Sequence, residues 1–154
     1  MRLALYQPDI PQNVGAAIRA AACFSAAVDI IAPCGFPLDS REIKRVAMDY
    51  GLIAPVVSHA GWSAFRNAPE RAEGRLVLLT TKGDLPLWEY NFKPGDTLLM
   101  GRESAGVPEE VRESAEARLV IPIAPNARSL NIAVAAAIAL AEARRRIGWD
   151  DEGY

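Results

Sequence analysis

The sequence predicts an α/β fold: a mostly parallel sheet with helices on both faces. Apolar strand-like runs alternate with helical stretches along the chain, and the runs lack the polar alternation of a half-exposed strand. Strands that are apolar on both sides are buried on both faces, which requires helices above and below the sheet. A length of 154 residues allows a substantial core, so residues 1–154 are expected to form one domain.

The elements follow in order. "RLALYQ" (2–7) reads as a strand. "PQNVGAAIRAAACFSA" (11–26) reads as a helix opened by Pro11, because proline fits the first helical turn. "AVDIIAP" (27–33) is a strand stopped by Pro33 and Gly35. Asp39 or Ser40 is placed to cap a helix over "REIKRVAMDYG", and Gly51 ends it. "APVVSH" is a short strand, and "WSAFRNA" a short helix. "RLVLLTTKG" (75–83) and "DTLLMGRESAGVP" (96–108) are buried strands running into polar or glycine-bearing loops. "PEEVRESA" is a short helix, "ARLVIPI" (117–123) the last strand, and the alanine-rich stretch reaching Arg146 the last helix. The tail "GWDDEGY" is expected to fray.

Composition excludes several classes. The chain is 51% hydrophobic and 23% charged, an ordinary globular balance. No apolar run reaches membrane-span length, and the opening "MRLALYQPDIPQ" is not expected to be a signal peptide. Cys23 and Cys34 lack metal-ligand spacing and are expected to be reduced thiols. His59 is the single histidine, which precludes a zinc constellation, and its place at a strand end suggests a structural role. The net charge is −2, so a polyanionic partner has to meet a local basic patch.

In open parallel sheets, ligands gather at the carboxyl ends of the strands. The loops expected there are "TTKG", "GRESAG", "APNARSLN" and, after the first strand, "PDIPQNVGAAIR". Neither a G-x-G-x-x-G turn nor a P-loop occurs. The paired glycines of "GRESAG" fit a turn that needs positive φ. Between the last strand and the last helix, Asn126, Arg128, Ser129 and Asn131 supply more hydrogen-bonding groups than one N-cap needs. Ser129 is the expected cap.

Together "PQNVGAAIR", "LLMGRESAGVPEEV", "IPI" and "NARSLNIAVAAAIALAEA" stand in the order and spacing of the three motifs of the SPOUT superfamily of RNA methyltransferases. The chain resembles its small single-domain branch, which methylates the ribose 2′-hydroxyl of cytidine or uridine at the tRNA wobble position. The resemblance covers nearly the whole chain. It implies a deep C-terminal trefoil knot that holds S-adenosylmethionine, a homodimer, a cytoplasmic enzyme acting on the tRNA anticodon arm, and no metal or membrane. The alternatives it leaves are 2′-O-methylation of ribosomal RNA or another tRNA position, or a non-catalytic RNA-binding module.

Carried over by position, the resemblance implies that Leu79, Gly101, Ile121 and Ser129 bind the cofactor. It implies that Arg19 acts on the target 2′-hydroxyl, with Ser129, Asn131 and Glu103 as further catalytic-site residues, and it matches Asn13 to the asparagine before the first-motif glycine. "GRESAG" departs from the frequent "GPETRG". Ala133 and Val134 stand where many relatives carry serine and asparagine. A guanidinium keeps its proton in nearly any site, so Arg19 is expected to stabilise negative charge at least as readily as to accept a proton. Arg41, Lys44, Arg45, Lys82 and Arg102 are candidates for a phosphate-facing patch. Arg144 to Arg146 are expected to complement the dipole of the last helix.

Overall fold

The computed structural model describes residues 1–38, 41, 45, 50, 53–71 and 74–149. The helix expected over residues 41–51, with its caps Asp39 and Ser40, falls mostly outside the described residues, as do Lys44 and the end of the tail.

The described residues form seven strands: β1 (Arg2–Tyr6), β2 (Ala27–Ile31), β3 (Val56–His59), β4 (Leu76–Leu79), β5 (Leu85–Pro86), β6 (Thr97–Met100) and β7 (Ala117–Val120). They make one sheet in the order β3-β2-β1-β6-β4-β7-β5, with every pair parallel. The helices described from end to end are α1 (Pro11–Cys23), α2 (Trp62–Arg66), α3 (Glu109–Glu113) and α4 (Ile132–Ile147), with single 3₁₀ turns at Pro69–Arg71 and Leu87–Glu89. β5 is absent from the sequence expectation. It is two residues long and contains a proline, which a sheet tolerates at its edge.

Side-chain alternation divides the core into two layers. Leu3, Leu5, Val28, Ile30, Val77 and Leu98 point to one face, where they pack with α1 and α4. Ala4, Tyr6, Ile31, Leu76, Leu78 and Leu99 point to the other, against Phe65 of α2 and Val111 of α3. The alanines of α1 and α4 are core: Ala17, Ala21, Ala136, Ala139 and Ala143 are fully buried. Their small side chains let the two helices pack closely over the same sheet face. Pro11 occupies the first turn of α1, as expected.

Two charged clusters tie neighbouring elements together, one on each face of the sheet. Buried Asp29 accepts two bonds from Arg2, at 2.7 and 2.9 Å, and lies 2.7 Å from Nε2 of His59. The His59 ring meets Phe65 edge-on, so its role is structural. Arg144 does not serve its own helix end alone. Its guanidinium donates to the carbonyls of Phe24 and Ser25 just beyond α1, at 2.6 and 2.8 Å, and stacks on Trp149. Arg145 and Arg146 both clasp Glu142. All three arginines lie in the last turn, as expected for complementing the dipole, and they add specific charge-assisted hydrogen bonds to it. Arg145 and Arg146 hold the Glu142 carboxyl down to about 2.

Strand order sets up the functional end. β7 is inserted between β4 and β5, although those two are consecutive in sequence. The loop joining them passes against the end of β7 so closely that a Cβ at Gly83 would lie 2.4 Å from the Leu119 carbonyl carbon. Only glycine fits that crossing. The carboxyl ends of β4, β6 and β7, neighbours in the sheet or one strand apart, thus open onto one edge.

Candidate active site

At this edge lies a cavity of about 570 Å³. Its floor comes from the ends of the central strands, including Leu78, Leu79 and Met100. Its walls come from the loops after β4, β6 and β7, together with Ile10 and Asn13 at the start of α1. The loops singled out in the sequence therefore do converge.

The loop after β6 is a tight turn. Arg102 and Gly106 exchange backbone hydrogen bonds, each 2.9 Å, and Gly106 adopts φ +67°. A Cβ on Gly101 would come within 2.8 Å of the Gly106 backbone, so both glycines are required, one for close approach and one for backbone conformation.

A hydrogen-bond chain joins the three motif segments. Glu103 accepts from the Asp9 backbone N–H at 3.0 Å and from Nδ2 of Asn13 at 3.1 Å. Oδ1 of Asn13 accepts from Nδ2 of Asn131 at 2.9 Å. Oδ1 of Asn131 then accepts from the backbone N–H groups of Ala133 and Val134 at 2.9 and 3.3 Å. The N-cap of α4 is thus Asn131, not Ser129. Asparagine has both a donor and an acceptor, so it can cap the helix and still reach Asn13, whereas a serine two residues earlier is out of register. This accounts for some of the excess polarity of "NARSLN". Asn131 links the third motif to the first, and Ser129 and Arg128 remain exposed at the cavity wall.

Asp9 supports the same rim. It pairs with Arg102 at 2.8 Å and accepts from the Ser104 hydroxyl at 2.7 Å and backbone N–H at 3.1 Å. The hydroxyl bond, then the guanidinium, hold its carboxyl below the ordinary range. Sequence reasoning missed Asp9; the only signal was an acidic residue in the loop after the first strand. Arg102, expected to face phosphate, spends its charge on Asp9.

Leu79, Gly101, Ile121, Ser129, Glu103 and Asn131 all line the cavity. Arg19 is placed elsewhere. It is exposed on α1, with its guanidinium 5.2 Å from the Tyr50 ring centre, and is not among the residues lining the cavity of its own chain. The helix explains this, because six residues beyond Asn13 amount to roughly 240° of net rotation and about 9 Å of rise. Lys82 is exposed in the loop after β4. No metal-binding group of His, Cys, Asp or Glu occurs among the described residues.

The cavity suits a nucleoside-sized ligand. Its volume lies within the range of about 300–1,000 Å³ usual for small-molecule sites. Leu79, Ile121 and Leu130 offer apolar surface, and Asn13, Thr80 and Asn131 offer a few polar groups.

Comparison with known proteins agrees with this arrangement. The SpoU rRNA Methylase family matches residues 1–141. A tRNA (cytidine(34)-2′-O)-methyltransferase of Beijerinckia indica is 52% identical over 146 residues, covering 95% of this chain and 91% of the relative. A solved structure described as giving insights into 2-OH methylation of C/U34 on tRNA superposes with a TM-score of 0.87 at 40% identity, covering 94% of each chain. An AdoMet-bound rRNA methyltransferase from Sinorhizobium meliloti superposes with a TM-score of 0.85 at 32% identity, over 94% of this chain but 55% of that one. The chain belongs to the SpoU rRNA Methylase family, whose members transfer methyl groups from S-adenosylmethionine to RNA.

Proposed function

We propose that this protein is the methyltransferase that modifies the ribose 2′-hydroxyl of cytidine or uridine 34 of tRNA, working in the cytoplasm as a homodimer on the anticodon arm. Correspondence over more than nine tenths of both chains carries the choice of substrate. The relatives named for position 34 match over more than nine tenths of both chains, whereas the rRNA methyltransferase from Sinorhizobium is nearly twice as long as the part matched. No described helix is long and apolar enough to cross a membrane.

Leu79, Gly101, Ile121 and Ser129, which line the cavity, would hold S-adenosylmethionine, and it would supply an electrophilic methyl group when bound. The chain's own task is to bring a ribose oxygen in line with it, and orientation of this kind contributes up to roughly 7–11 kcal/mol in well-ordered systems. Asn131 and Asn13 fix the wall that carries Ser129. Each oxygen of Glu103 accepts one N–H donor, from Asp9 and Asn13, which supports a role for Glu103 in positioning the first-motif loop. Arg19 lies outside its own chain's cavity, which supports its delivery from the second protomer as a charged group facing the developing alkoxide. The proposed knot is supported by β7 lying between β4 and β5 and by the close crossing at Gly83.

Labelled methyl transfer to unmodified tRNA and to ribosomal RNA fragments, with the modified nucleotide mapped by mass spectrometry, tests the proposal. Methylation confined to nucleotide 34 of tRNA is expected. Methylation of ribosomal RNA alone would overturn it.

A further inference from the structure

We propose that Arg128 grips an RNA phosphate beside the reacting ribose, and so acts as an anchor for the substrate strand. The inference rests on the proposed function and adds a residue to it.

Among the described residues, three charged side chains line the cavity: Arg102, Glu103 and Arg128. Arg102 is neutralised by Asp9 at 2.8 Å. Glu103 uses both carboxylate oxygens on Asp9 and Asn13. Arg128 makes no hydrogen bond or ion pair with any described residue, so it is the uncommitted charge of this wall. It immediately precedes Ser129, three residues ahead of the anchored cap Asn131.

Its position favours a strand backbone over a buried ligand group. Residues 124–131 are all exposed, so this loop forms the outer lip, while the floor is made of apolar strand ends. A small cofactor fills the interior, and a polymer crossing the lip brings its phosphates to the loop. A planar guanidinium suits the bidentate recognition of phosphate. With a net charge of −2 for the whole chain, attraction of a polyanion has to be local, and an arginine at the mouth that pairs with no described residue supplies it.

The test measures binding of unmodified tRNA against salt concentration for the wild type, Arg128→Ala and Arg128→Lys, alongside affinity for S-adenosylmethionine and 5′-methylthioadenosine. Arg128→Ala is expected to bind tRNA about tenfold more weakly. The slope of log K against log salt should fall by about one, with both nucleoside affinities unchanged. Arg128→Lys should keep the slope while losing part of the affinity. An unchanged slope in Arg128→Ala would overturn the inference. So would weakened binding of S-adenosylmethionine with methylthioadenosine unaffected, which would assign Arg128 to the cofactor carboxylate. Loss of slope in Arg128→Ala with wild-type protein that methylates no tRNA would support the phosphate contact and overturn the proposed reaction. Wild-type protein that does not bind tRNA would overturn both.

Discussion

The protein holds two polar networks of opposite character. Arg2, Asp29 and His59 join the first two strands to the third inside the sheet, with Asp29 and His59 buried. Asp9, Asn13, Arg102, Glu103 and Asn131 join three distant loops at the cavity rim, with partners 90 to 118 residues apart in sequence. The interior cluster spends its charges on itself beneath apolar neighbours. The rim cluster uses its hydrogen bonds to hold a wall that presents the exposed residues Arg128 and Ser129 at the cavity. Buried charges that lose a partner are costly, so the first network governs whether the sheet persists. Loop-to-loop bonds near solvent contribute less to stability, and their geometry governs what the cavity can hold.

The largest effect that distinguishes the two regions is expected at a residue outside both. Arg19→Ala should lower single-turnover methyl transfer by about 10²–10³-fold, the usual loss for one group aimed at developing charge. Its melting temperature and cofactor affinity should stay near wild type. Arg19→Lys should retain part of the rate, because the charge survives while the planar fork is lost. Mixing Arg19→Ala with Ser129→Ala chains should restore activity through hybrid dimers. Loss of cofactor binding in Arg19→Ala would show that the residue belongs to its own chain's cavity.

Asp29→Ala should be the most damaging change to stability. It leaves Arg2 and His59 without their acceptor, and removing one partner of a buried ion pair costs about 3–5 kcal/mol. Urea unfolding measures it. Cofactor affinity of the molecules that remain folded should not change.

Asn131→Ala should show the reverse balance. Loss of the cap costs about 1 kcal/mol of stability. The cavity wall also loses its tie to Asn13, so cofactor affinity, measured by calorimetry, should fall. Equal behaviour of Asn131→Ala and Asp29→Ala in both assays would erase the distinction between the networks.

The smallest effect concerns pH. The folded Asp9 carboxyl is lowered by Ser104 and Arg102. Its contribution is therefore fully present above the ordinary aspartate value of about 4 and is lost as the pH falls through the lowered folded value. The stability difference between wild type and Asp9→Asn should be constant near neutrality and shrink below about pH 4.

The sequence made the doubly covered parallel sheet legible because β1, β4 and β6 are apolar on both faces, and the convergence of the loops followed from that. Pro11 marked the start of α1 through local stereochemistry. Other features depended on partners that periodicity cannot show. β5 has two residues and exists only because the edge of β7 is open to it. Ser129 and Asn131 read alike as caps in the sequence, but the helix register selects Asn131, whose amide also reaches Asn13, 118 residues away. The roles of Asp9 and Arg144 were invisible for the same reason, since their partners lie 93 to 120 residues distant. The placement of Arg19 outside its own cavity follows from helix phase, once Asn13 is known to face inward.

In the proposed reaction the rim presents one ribose oxygen of the wobble nucleotide for methylation. Replacing nucleotide 34 of an otherwise unmodified tRNA with its 2′-deoxy form removes that oxygen and leaves the rest of the substrate intact. With this tRNA, methyl transfer should be abolished while binding in a filter assay is retained. Methyl transfer at the rate seen with the ribonucleotide would contradict the account.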